Sequence, residues 1–251
     1  MKATKIEFRF RVVIMVAVIF LGFWAPWIEP WASRASIAER IPVLEWLALE
    51  LSRHGLLSFT AASPVVIVCS ALIAAKSAAL RIWGTAYLGP GTVNSSQMKA
   101  GEVQASGPYR YVRNPLYLGS WGMIAAMAFL MPPTGALFTM VLLTVFLMRL
   151  ILAEEAFLTA QLGEPYRHYL SAVPRLIPRL RTTLPPSSQQ PHWLHAMIAE
   201  INPIGVFIIF AFLSWSYNNR LMIQAILVSF GVSLVVRALM PHVRKENSTI
   251  A

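Results

Sequence analysis

An all-α, polytopic transmembrane helical bundle is the fold class this sequence predicts, and three observations predict it. Of the 251 residues, 57% are hydrophobic and only 13% are charged, and the mean hydropathy is +0.59. Soluble domains run at about 45–50% apolar and about 25% charged. The apolar residues gather into runs of span length, separated by polar segments. Those polar segments alternate between strongly basic ones and ones that are acidic or very short, which places the basic set on the cytoplasmic side. The net charge of +10 belongs to that face and its anionic lipid. No soluble basic domain is present to bind nucleic acid, so no nucleic-acid partner is expected. The single cysteine, Cys69, lies in an apolar run and excludes an intrachain disulfide or a multi-cysteine zinc site.

About six spans are expected. Lys2, Lys5, Arg9 and Arg11 precede the first run, Val12–Ile28, which is too long for a signal-peptide core and ends in tryptophan and proline rather than a small-residue cleavage site. Residues 29–55 are more acidic. There Ile41, Leu44, Leu47, Ala48 and Leu51 recur at helical spacing, which predicts a short interfacial helix flanked by Trp27, Trp31 and Trp46. Leu56–Leu80 is the second span. A polar segment, 81–114, opens RIWGTAYLG and leads to the third span, Leu116–Met131. Met131-Pro132-Pro133-Thr134-Gly135 is a tight break, and Ala136–Leu152 returns as the fourth. Residues 153–200 are polar again, with a linker at 182–192, and Pro203–Tyr217 and Leu221–Met240 close the chain as a last hairpin. With this order both termini fall on the cytoplasmic side. The chain divides into N-terminal spans (1–80), a core built on one helical hairpin (81–181), and a linker with a C-terminal hairpin (182–251).

Two stretches carry chemistry. The first is GPYRYVRNPLYLG, Gly107 to Gly119. Gly107-Pro108 is a turn signal, and Asn114-Pro115 is a helix start: Asn caps free N–H groups, and Pro at the first helical position gives up an N–H that has no partner anyway. Cationic and aromatic side chains are thus held at a helix N-terminus at the mouth of a span, a place suited to an anionic or zwitterionic small molecule. A basic interfacial loop anchored by tyrosine has the same composition. The second stretch is MRLILAEEAFLTAQLGEPYRHYLSAVPRLIP. Glu154 and Glu155 differ in direction by about 100° on a helix, so one turns into the bundle and the other faces water or a basic neighbour. Arg149 near the span end either snorkels or pairs with an acid. The short turn between the third and fourth spans makes them antiparallel, which brings the Asn114–Tyr117 end beside the Arg149–Glu155 end. Carboxylates, guanidinium and tyrosines at one depth suit a ligand with an ammonium, a carboxylate and a further cation. No metal is expected: His192 and His195 have no acidic or cysteine partner nearby in the sequence.

The two motifs and their spacing, with RIWGTAYLG upstream, resemble the isoprenylcysteine carboxyl methyltransferase and phospholipid methyltransferase group of integral membrane enzymes, over about residues 81–180. The resemblance implies methyl transfer from S-adenosyl-L-methionine, entering from the cytosol, to a lipid-like or small amphipathic acceptor entering from the bilayer. It assigns Tyr109, Arg113, Asn114, Tyr117 and Gly119 to the first cofactor-binding motif and Glu154 and Glu155 to the second. Arg149 matches an arginine thought to orient the acceptor, and Tyr166 and Pro178 belong to a segment that closes over the site. The isoprenylcysteine enzymes of eukaryotes have histidine where this chain has Asn114; asparagine, also found in the phospholipid branch, cannot titrate, so this position is no general base. A sulfonium methyl is already activated, and positioning supplies most of what its transfer needs. Two other classes share the architecture: an NADPH-dependent membrane reductase of the steroid 5-alpha-reductase kind, and a non-catalytic scaffold or transporter. Against a transporter, the polar clusters lie at one face rather than mid-membrane.

Overall fold

A computed structural model describes residues 2–24, 41–88, 103–182, 184–185 and 189–239. The end of the first apolar run, most of the acidic segment before residue 41, much of the polar segment after residue 88, parts of the linker and the tail lie outside the described residues. Among the described residues every regular element is helical: α1 Lys5–Arg9, α2 Arg11–Phe23, α3 Val43–Arg53, α4 Phe59–Leu88, α5 Pro115–Ala128, α6 Pro133–Leu162, α7 Glu164–Ala172, α8 Trp193–Ala199, α9 Ile201–Phe212 and α10 Asn219–Leu239. Short 3-10 turns lie at Gly107–Arg110 and Ser214–Ser216.

Three helices, α4, α6 and α10, are long and apolar enough to cross a membrane, and α8 with α9, bent by 70° between them, makes up to four. The expected six is not reached on this measure. α5 has 14 residues, about 21 Å at 1.5 Å per residue, against a hydrocarbon core of about 30 Å. Pro115 sets its start, and the chain turns after Ala128 to re-enter α6 behind Pro132-Pro133. α2 has 13 residues to Phe23.

α4 is the axis of the bundle. α5 packs along it through small residues: a Cβ at Gly119 would meet Arg81 Cγ at 2.5 Å and the Ser77 carbonyl oxygen at 3.1 Å, and one at Gly122 would collide with the Ser77 hydroxyl. Close helix approach replaces a bulky seam there. α9 and α10 cover another side of α4, burying Ala74, Ala78, Met123, Val206 and Phe210 in one core. At the far end, α3 lays Leu44 and Ala48 on Ala62, Val66 and Ile67 of α4. The Val43 and Leu44 N–H groups donate to the carbonyls of Met131 (2.8 Å) and Phe129 (2.9 Å), so the interfacial helix is bonded to the α5–α6 break.

α5 and α6 form the antiparallel hairpin. α6 has 30 residues, about 45 Å, and its C-terminal turns run past the start of α5. That overhang brings the two motif segments together. α1 is folded against the same end: the Ala3 N–H donates to the Arg149 carbonyl at 3.1 Å. The C-terminal end of α10 reaches it too, through Arg237 and the Ala199 carbonyl. Both described chain ends therefore share the end of the bundle that carries the motifs.

Candidate functional site

The turn Gly107–Arg110 lies against the end of α4. Gly107 has φ +53°, and a Cβ there would run into the Tyr87 ring, so glycine is required twice over. The strap after α7 runs beside the segment that follows this turn: the Arg113 N–H donates to the Pro174 carbonyl (2.9 Å) and the Arg179 N–H to the Tyr111 carbonyl (3.0 Å). Tyr169 donates its hydroxyl to the Tyr109 carbonyl at 2.8 Å. Tyr166, Tyr169 and Val173 form a small buried core beneath the strap.

Glu155 is the centre of the cluster and is buried. Arg175 grips it through Nε (3.2 and 3.1 Å) and Nη2 (2.7 Å). Arg113 Nη1 lies 3.2 Å from Oε1, and Asn114 Nδ2 donates to the same oxygen at 3.4 Å. Asn114 also donates to the Arg175 carbonyl at 3.2 Å. Asn114 thus stands at the N-cap position, with Pro115 following as expected, but its side chain makes no cap bond. Burial redirects it: the carboxylate offered by α6 takes its amide group.

Glu154, half-buried and one residue earlier, occupies a different environment. It accepts the Tyr117 hydroxyl and lies in the field of Arg11. The two glutamates divide as the helical geometry requires, Glu155 to the two arginines and Glu154 to Tyr117. Burial, with the charge of Glu154 added, holds the Tyr109 hydroxyl far above its usual pKa. Tyr166 is raised by burial and then by Glu155, and Tyr169 by burial and then by Tyr166. All three phenols stay protonated, so each keeps an O–H to donate and an oxygen that can accept. The Tyr109 hydroxyl and Arg113 Nε are buried with no hydrogen-bond partner among the described residues. The site therefore holds an acceptor, Glu154, and two spare donors within one polar patch.

The structure thus brings together Tyr109, Arg113, Asn114, Tyr117, Glu154, Glu155 and Tyr166. It sets three expected residues apart. Arg149 pairs with Glu7 on α1, Nη2 donating to both carboxylate oxygens at 2.8 and 2.9 Å, rather than with either glutamate of its own helix. Gly119 faces Arg81 on α4 and acts in helix packing. Pro178 is exposed on the strap, next to the Arg179 tie.

Sequence reasoning missed Arg175, which supplies most of the grip on Glu155. It also missed a second buried cluster. Arg81 reaches Glu200 through Nε (2.6 Å) and Nη2 (2.9 Å), and Thr85 donates to Glu200 at 2.7 Å. Arg81 Nη1 bonds Ser120 Oγ at 2.5 Å and contacts the Leu116 carbonyl at 3.4 Å, so this pair also braces the start of α5. A signal existed: Glu200 is the single acid between Glu164 and Glu246, set against an apolar run.

Span-length apolar helices with a polar cluster at one end point to a membrane protein. Residues 57–164 match the family model described as phospholipid methyltransferase, one of the groups that the motifs resemble. The match takes in α4 to α6 and stops at Glu164, before Tyr166 and Arg175. Neither the curated proteins nor the solved structures offer a match to this chain.

Proposed function

We propose that this chain is an integral membrane methyltransferase that moves a methyl group from S-adenosyl-L-methionine to a lipid-like or small amphipathic acceptor. The observation that carries the reading is the division of labour between adjacent glutamates. Glu155 is consumed in fixing Arg113, Arg175 and Asn114, while Glu154 keeps acceptor capacity beside two spare donors. An amino-acid end fits this set: its ammonium on Glu154, its carboxylate on the Tyr109 hydroxyl and Arg113 Nε. When bound, the sulfonium supplies an already activated methyl group.

The chain's own residues orient and enclose. Glu155 holds both arginines in place, and Tyr117 holds the Glu154 carboxylate in its rotamer. Tyr166 and the strap from Val173 to Arg175 wall the site from water. Arg149 lies about 7.5 Å deeper along α6 than Glu154, on the bilayer side of the cluster. There it orients an anionic acceptor group by exchanging it for the half-exposed Glu7. Both termini and the site face the cytosol, by the positive-inside rule. The test is transfer of label from methyl-labelled S-adenosyl-L-methionine into lipid extract by the purified protein, with NADPH consumption followed in parallel. Labelled lipid with no NADPH turnover is expected; NADPH oxidation without methyl transfer would replace this reading with a reductase.

A further inference from the structure

The far end of the bundle, away from both motifs, carries a cavity of about 400 Å³ where α3 and the start of α4 meet the turn before α10. Leu49, Phe59, Thr60 and Ser63 line it together with Glu45 and Tyr217. Its volume is that of a small organic ligand. Glu45 and Tyr217 also line an adjoining hollow of about 20 Å³, room for one water-sized group. Three polar features meet there. The Glu45 carboxylate makes no ion pair or hydrogen bond among the described residues. Asn219, on the wall of the smaller hollow, donates through Nδ2 to the Leu130 carbonyl at 3.1 Å. That bond sets the amide's orientation and leaves Oδ1 buried with no partner among the described residues. Tyr217, whose hydroxyl accepts the Ser63 hydroxyl at 3.2 Å, has φ +52°. A tyrosine in that left-handed region is strained, and such residues gather at ligand sites.

Two acceptors, one of them an anion, thus border a space that holds one small group. No lysine or arginine lines either hollow among the described residues, so a phosphate or carboxylate finds no counter-charge there. A primary ammonium brings three N–H donors, which suit the carboxylate and the amide oxygen together. Leu49 and Phe59 suit an apolar body in the larger space. We infer that this cavity binds a small amphipathic primary amine, its ammonium on Glu45 and Asn219 Oδ1 and its body against Leu49 and Phe59. The site is independent of the methyltransferase reading. Glu154 lies about 30 Å along α6 from the α5–α6 break to which α3 is bonded.

The test titrates the full chain, in nonionic detergent at neutral pH, with phenethylamine and with phenethyl alcohol, its uncharged counterpart. The parent is expected to bind the amine about tenfold or more tightly than the alcohol. Glu45→Gln should weaken amine binding roughly 10- to 150-fold and leave the alcohol unchanged. The Glu45 carboxylate has no partner to strand, so this variant should melt like the parent. Leu49→Trp fills the larger space and should abolish binding of both compounds, and it decides alone if Glu45→Gln fails to fold. Excess S-adenosyl-L-methionine should leave the bound amine in place. Failure of the parent to bind the amine, equal affinity for amine and alcohol, or amine binding by either variant equal to the parent's would each overturn the assignment. Displacement by S-adenosyl-L-methionine would move the amine to the Glu154 end and overturn it too.

Discussion

The clusters around Glu155 and Glu200 are built alike: a buried carboxylate gripped by an arginine distant in sequence, at the same end of the bundle. They differ in what surrounds them. Glu200 is fully buried, and its partners Arg81 and Thr85 come from one helix, α4. Glu155 is held from two loop segments, by Arg113 and by Arg175, and the residue beside it, Glu154, is half-buried with a tyrosine as its hydrogen-bond partner. A closed ion pair inside helices is a brace; the same pair made by loops, next to an available carboxylate, is the floor of the proposed site. Buried ion pairs add little net stability, yet removing one partner leaves an uncompensated charge and costs about 3–5 kcal/mol.

That contrast can be broken by substitution. Glu200→Gln should have the largest effect on stability, about 3–5 kcal/mol, because Arg81 is 16% exposed and has no water to turn to. Thermal unfolding in detergent measures it, and a parent-like melt would show that the brace carries no load. Glu155→Gln should cost less, about 1.5–3 kcal/mol, since Arg175 is 38% exposed and can rotate into solvent. This variant should also lose cofactor binding as the loops part. Gly119→Ala should cost about 1–3 kcal/mol by forcing α5 away from Arg81 and Ser77, and Gly119→Leu more.

The smallest effect concerns α1. The Glu7 carboxylate is held below its usual range, first by the Thr4 backbone N–H and then by Arg149. A lowered folded-state pKa means its contribution is complete above the ordinary carboxylate range and is lost as pH falls through the lowered value. The melting difference between parent and Glu7→Gln should be small and constant near neutral pH and should vanish in acid. A difference that grows in acid would contradict the sign.

Much of this was legible in the sequence. The hairpin followed from Met131-Pro132-Pro133, and the meeting of Asn114 with the Glu154–Glu155 end followed from the hairpin. Side-chain partners were less legible. Arg149 was expected to snorkel or to pair with an acid; which acid was not legible, since Glu7 lies 142 residues away and reaches it because α1 folds back over α6. Arg81 and Glu200 are 119 residues apart, and tertiary packing alone decides that they meet. The Asn114 amide shows the same limit: local rules place it at a cap, and a buried carboxylate outbids the helix N–H groups. The span count was less legible, because apolar run length does not report where a proline starts a helix or a turn ends it.

The central claim is that Glu154 binds the cofactor while Glu155 builds its site. Calorimetric titration of S-adenosyl-L-methionine into Glu154→Gln, with thermal unfolding of the same sample, tests it most directly. Loss of a charge-assisted hydrogen bond, about 1.5–3 kcal/mol, should weaken binding roughly 10- to 150-fold while the melt stays within about 0.5 kcal/mol of the parent. A Glu154→Gln variant that melts like the parent and binds S-adenosyl-L-methionine equally well would contradict the assignment.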